Sequence, residues 1–175
     1  FELSGVKPNP RVKLVREGVK IGEDNEIDLV LAAGGGSTID TAKAIAAAVC
    51  YEGDAWEMVT ADEDPQSALP IGVILTLAAT GSEMNGNAVI SNLETEEKLA
   101  IQSAALTPKF SILDPQYTTT VPEEQTVYGI VDIASHVYEQ YFSHTENTPL
   151  PDRFAESILI TLKEASRKVL ENPED

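Results

Sequence analysis

The feature that most constrains this chain is a nearly unbroken apolar run, residues 27–33, that ends in Gly34-Gly35-Gly36-Ser37-Thr38-Ile39-Asp40. An alanine-rich segment follows directly, over residues 38–49. The run reads as a strand covered on both faces in a parallel sheet, and the alanine-rich segment as the helix packed on it. Three glycines between the two let backbone amides approach a ligand with no Cβ in the way. The helix aims its free N–H groups and positive dipole end at the same spot, which suits a pyrophosphate. For the glycines alone, a plain strand-to-helix turn with no ligand is an equal reading. Ser37 is the expected N-cap, with Asp40 three residues on closing a capping-box-like arrangement. No Gly-Lys-Ser/Thr follows, so the turn is not a P-loop, and it lacks the spaced G-x-G-x-x-G fingerprint.

Around this unit the pattern alternates. Residues 1–6 read as a short strand, broken by Lys7-Pro8-Asn9-Pro10. Residues 11–21 place Val12, Val15 and Val19 on one helical face. Residues 70–75 read as a second buried strand, and 88–91, 98–103 and 110–113 as shorter ones. From Pro122 the texture changes to two long helical patterns, residues 123–142 and 151–170, with no strand between them. The expected fold is therefore α/β: a Rossmann-like domain with a parallel sheet over residues 1–121, followed over 122–175 by the first helices of an all-α domain. Both ends read as abrupt, so a fragment of a longer protein is expected, with an open sheet edge that invites pairing.

Charge bounds the partners. Asp and Glu number 29 against 12 Lys and Arg, a formal net charge of −17. That field repels nucleic acid and anionic membranes, so a phosphate-bearing cofactor must be held by local backbone geometry and a helix end. No apolar run reaches the length of a membrane span, and no opening segment has the form of a signal peptide. The single cysteine, Cys50, excludes an internal disulfide framework. A cytoplasmic setting is the expectation.

In the first long helical pattern, Asp132 and His136 are spaced i, i+4 and share a face. A carboxylate oxygen and an imidazole nitrogen suit Fe²⁺ or Zn²⁺. Taken alone, such a pair more often stabilises a helix, and two ligands do not complete a metal site. His144 reads as a solvated loop residue.

Read together, residues 1–10, the GGGSTID turn, Thr80-Gly81-Ser82-Glu83, Leu113-Asp114-Pro115 and the Asp132/His136 helix stand in an order and spacing that resembles the iron-containing (group III) alcohol dehydrogenases. Within that family the chain looks most like the NADPH-dependent butanol dehydrogenase and aldehyde reductase branch. The resemblance runs through essentially the whole chain. It implies a dehydroquinate synthase-like nucleotide-binding domain, then the start of a helical metal-binding domain, with chemistry in the cleft between. Gly35, Gly36 and Ser37 match the pyrophosphate turn, with Asp40 close behind. Thr76, Thr80 and Ser82 match a second cofactor loop, Lys98 a lysine reaching the nicotinamide-side ribose, and Leu113 a residue lining that pocket. Asp132 and His136 match the first two of four metal ligands.

Ser4 matches the place where NAD-preferring relatives carry an aspartate, and Gly5 beside it leaves room for a 2′-phosphate. Their pairing favours NADP, with NAD as the alternative. Leu77-Ala78-Ala79 departs from a Thr-x-Gly common among relatives. The resemblance further implies a missing first strand-helix unit, an isolated chain that turns over little, a small alcohol or aldehyde as substrate, and a homodimer as the assembly. Two other readings stand beside this one. They are a sister enzyme of the glycerol dehydrogenase or dehydroquinate synthase kind, and a non-catalytic nucleotide-binding module.

Overall fold

The computed structural model describes residues 1–173, which fall into two compact units that divide between Asp114 and Pro115. The division comes a few residues before the 121/122 boundary expected above, because the short 3-10 turn Pro115–Thr118 sorts with the second unit.

In the first unit, α1 (Val12–Asp24) leads to β1 (Val30–Gly34), then α2 (Gly36–Ala48), the short α3 (Ala55–Thr60) and β2 (Ile71–Leu75). Next come β3 (Asn87–Asn92), β4 (Glu97–Gln102) and β5 (Phe110–Ile112). The strands β1, β2 and β5 form a parallel sheet in the order β1-β2-β5. A separate antiparallel ribbon pairs β3 with β4 in simple register, Asn87 opposite Gln102 and Asn92 opposite Glu97.

Helix α2 is the centre of the unit. One side packs on the parallel sheet through Ile39, Ala42 and Ala46, against Ala32, Ile71, Val73 and Leu75. The other side packs through Ala44, Ile45, Ala47 and Ala48 against α1, α3 and the ribbon. A helix covered on every side must be apolar all round, and alanine lets both layers approach closely. Residues 41–48 are accordingly all buried. The far face of the sheet is different: Leu31, Phe110 and Ile112 are about half exposed, with the Phe110 ring lying over Gly72.

Two local expectations are corrected. Residues 1–6 form no strand. Gly5 at φ +88° and Asn9 at φ +61° turn the segment, and Leu3 packs onto Gly18 of α1 instead of joining β1. Helix α3 was not anticipated. Asp54 caps it, accepting from Trp56 N at 2.9 Å while Glu57 Oε2 accepts from Asp54 N at 3.0 Å, a complete capping box. Arg16 holds the same carboxylate in two parallel bonds of 2.7 and 2.8 Å, joining α1 to α3.

The second unit is a pair of long helices, α4 (Glu123–Tyr141) and α5 (Pro149–Glu171), packed on each other. Glu123 and Glu124 sit in the first turn of α4, where the helix dipole favours negative charge. Pro at the start of α5 fits the first-turn rule. No residue of either helix is fully buried, and Val131, Phe142, Phe154 and Ile160 are largely exposed. Among the described residues, no helix is long and apolar enough to cross a membrane.

Candidate functional site

The glycine turn and the loop after β2 form one structure. Gly34 closes β1, and its carbonyl accepts from Thr76 N at 3.1 Å. Gly35 is the N-cap of α2, with φ −89° and ψ −169°, and its carbonyl takes the amides of Thr38 and Ile39. A Cβ on Gly36 would collide with Thr80 Oγ1 and stand 3.0 Å from Thr80 Cβ; one on Gly35 would stand 3.2 Å from Leu77 Cβ. Only glycine lets the two backbones come this close. Thr80 and Ser82 share a hydroxyl–hydroxyl hydrogen bond of 2.8 Å, and Ser82 is 4% exposed. The loop is also tied to β5, where Ser111 Oγ donates to Glu83 O at 2.6 Å.

No side chain caps α2, which corrects the expectation for Ser37 and Asp40. With Gly35 as the cap, Ser37 lies inside the first turn. The start of the helix is lined by backbone and keeps its dipole for a ligand. That arrangement fits a pyrophosphate in shape and chemistry.

Asp40 instead reaches sideways to the ribbon. Its Oδ2 accepts from Val89 N at 3.0 Å, while Oδ1 is buried with no hydrogen-bond partner. Burial raises Asp40 above the usual carboxylate value. The Val89 amide, the nearby Ser82 hydroxyl and the Lys43 charge oppose that rise.

Lys43, one turn further on, drew no attention as a sequence position, yet it is wholly buried. Its Nζ donates to Asn85 O at 2.7 Å, Asn85 Oδ1 at 3.0 Å and Asn87 O at 2.9 Å. Burial pulls it down from 10.5 to about 8, against the charges of Asp40 and Glu83. The one sequence signal was a charged residue set among the otherwise apolar residues 42–48.

The structure thus brings Gly35, Gly36, Thr76, Thr80 and Ser82 together, with Ser37 and Asp40 on the adjoining helix. Other expected residues stand apart from this cluster. Ser4 and Gly5 are exposed, in a segment whose Phe1, Glu2, Leu3 and Val6 border an open cavity of about 480 Å³ with Thr38 and Thr41. Lys98 lies on β4, its Nζ donating to Asn9 Oδ1 at 2.8 Å. Leu113, 62% exposed, follows β5 two residues after Ser111.

In the second unit, Asp132 and His136 share one face of α4, with Asp132 Oδ2 3.6 Å from His136 Nε2 and both side chains more than half exposed. Glu139 Oε2 stands 4.0 Å from the other ring nitrogen. Among the described residues, no three His, Cys, Asp or Glu side chains gather so as to hold a metal. The oxygen and nitrogen pair fits two ligand positions of Fe²⁺ or Zn²⁺, and further ligands would have to join them.

Known proteins resemble the chain along its whole length. The chain is 55% identical to the probable NADH-dependent butanol dehydrogenase 1 of Bacillus subtilis over 99% of its length, and 43% identical to the NADPH-dependent aldehyde reductase YqhD of Escherichia coli over all of it. It covers 45% and 46% of those two relatives, so it spans about half their length. The crystal structure of an NADH-dependent butanol dehydrogenase from Thermotoga maritima superposes with a TM-score of 0.91 at 45% identity, covering 100% of this chain and 44% of that one. The family model for iron-containing alcohol dehydrogenases matches residues 1–115. That match spans the glycine turn and the loop packed on it, and by it the chain belongs to the iron-containing alcohol dehydrogenase family.

Proposed function

We propose that the chain carries the dinucleotide site, and two of the metal ligands, of an oxidoreductase that moves hydride between NADP(H) and a primary alcohol or aldehyde. The observation that carries this reading is the contact of Gly36 with Thr80, which makes a backbone-lined cradle at the start of an uncapped helix. The amides of the first turn of α2 bind the pyrophosphate, and Thr80 and Ser82 orient it with their hydroxyls. Asp132 and His136 hold Fe²⁺ or Zn²⁺. When bound, that ion acts as a Lewis acid on the substrate oxygen, and the nicotinamide supplies the hydride.

The nucleotide reading is NADP. Ser4 presents a hydroxyl and no carboxylate, and Gly5 adds no side chain beside it, which leaves a hydrogen-bond donor and room for a 2′-phosphate at that position. Glu2, Glu26 and Asp28 are the acidic groups on the cavity that this segment borders. The alternative, NAD, is favoured by four relatives at 51–55% identity, two named NADH-dependent butanol dehydrogenases and two probable ones. Comparing kcat/KM for NADPH and NADH, in wild type and Ser4→Asp, decides between them. A lower NADPH preference in the variant supports the role of Ser4, and an unchanged ratio rejects it.

The whole reading is tested on the protein at its natural length. Oxidation of NADPH or NADH by butyraldehyde is expected with Fe²⁺ or Zn²⁺ present, and its loss on chelation. Dinucleotide binding with no metal-dependent turnover would overturn the enzyme reading in favour of a nucleotide-binding module.

A further inference from the structure

Lys43 stands out because its burial serves no apolar purpose. Its neighbours along α2, from Ala42 to Ala48, fill the two cores with small apolar groups, and an apolar residue at position 43 would avoid burying an ammonium ion. The ammonium has three N–H donors and meets three acceptors at 2.7–3.0 Å, all on Asn85 and Asn87. Asn85 Oδ1 also accepts from Asn87 N at 3.0 Å, so the lysine locks a bend that already folds on itself. Gly86 at the apex cannot carry a side chain, since a Cβ there would collide with Ser103 O. One turn back on the same helix, Asp40 takes the Val89 amide. Helix α2 therefore grips residues 85–89 at two points, close to its own glycine turn.

The loop with Thr80 and Ser82 runs directly into this bend. Its leading end is pinned by the Thr76 amide on Gly34 O, and its trailing end by Lys43. Between the two pins, Thr80 rests on Gly36 and Met84 N bonds back to Gly81 O at 3.1 Å. Ser111 Oγ donates to Glu83 O at 2.6 Å and Ser103 N to Gly86 O at 2.9 Å, which ties the loop to β5 and to the residue after β4. Among the described residues, Lys43 alone ties the Asn85–Asn87 bend itself to α2.

We propose that Lys43 is a positioning residue for the dinucleotide, holding residues 80–87 against the glycine turn so that the phosphate cradle is preformed. This rests on the reading of that turn as a dinucleotide site. The lysine touches no ligand. It acts by removing loop motion that binding would otherwise have to arrest.

The test uses the protein at its natural length with Lys43→Met and Asn85→Ala. Kd for NADPH and NADH is read from nicotinamide fluorescence, alongside KM for dinucleotide and aldehyde, kcat and Tm. Lys43→Met is expected to raise the dinucleotide Kd and KM tenfold or more, leave the aldehyde KM unchanged and recover kcat at saturating dinucleotide. Asn85→Ala, which removes one acceptor, should move the same quantities by a smaller factor and decides the matter if Lys43→Met does not fold. A purely structural role would lower Tm and the active fraction while the folded fraction kept its wild-type Kd, and that result overturns the proposal. Wild type that binds neither nucleotide overturns the site reading as well. Wild type that binds, with variants binding as tightly, overturns the positioning role alone.

Discussion

Gly36 and Thr80 touch so closely that the first residue of α2 has no room for a methyl group. The threonine atoms in the way include its Cβ, so the loop backbone must retreat if a side chain is added. Gly36→Ala is therefore expected to weaken dinucleotide binding about tenfold or more, near 1.4 kcal/mol. Alanine is also the better helix former, so Tm should not fall in proportion. Fluorescence titration beside a thermal melt checks both; unchanged affinity would mean the contact has no part in the site.

The Arg16–Asp54 pair joins α1 to α3 and caps α3 at once. Asp54→Ala should cost about 1–2 kcal/mol, most of it from the lost cap, because both charged groups are more than a third exposed and screened. The Arg16 bond, with help from the Trp56 and Ala55 amides, holds Asp54 below its ordinary 3.8. Its contribution is complete above that value and is lost as pH falls through the lower folded-state value. Urea unfolding should then separate wild type from Asp54→Ala most at pH 6, with the gap narrowing as pH falls below 3.8.

Lys43 titrates with the opposite sense. Asp40 on its own helix and Glu83 on the loop face it, yet burial brings it from 10.5 to about 8. The cost of burying its charge is complete below about pH 8. Between about 8 and 10.5 the unfolded chain still holds a proton that the folded chain has lost, so this residue's contribution to stability rises with pH. The stability of wild type minus that of Lys43→Met should climb over that window, with a limiting slope of about 1.4 kcal/mol per pH unit. A flat difference would mean the ammonium keeps its proton.

Asp132→Ala and His136→Ala remove exposed side chains from α4, so neither should disturb the fold. Each is expected to lower bound Fe²⁺ or Zn²⁺, read by elemental analysis, and to abolish aldehyde reduction while dinucleotide affinity stays unchanged. Full metal content in both variants would remove them from the metal site.

Much of this was legible from residue order. The apolar run, the glycines and the alanine-rich segment announce β1, the turn and α2, because each depends on local chemistry. Helices α4 and α5 were equally plain, being long and periodic. Residues 1–6 misled because their composition suits a strand while Gly5 and Asn9 turn the chain away. Helix α3 is too short for periodicity to reveal it, though Asp54-x-x-Glu57 carried its start signal. Lys43 could not be singled out because its burial comes from the β3–β4 ribbon and its approach. A lysine at one position of a helix ordinarily reads as the solvated side.

Helix α2 has no solvent side, and that bears on how the first unit opens. An element shared by two cores cannot fray by itself, since releasing it would dismantle the parallel sheet's cover and the ribbon's support together. Beyond its first turn, its amides should exchange with deuterium later than those of α1, whose opposite side faces water. The phosphate cradle, whose own leading amides lack helix partners and exchange freely, is then mounted on the end of a helix that opens late, which keeps those amides aligned through the local openings of the rest.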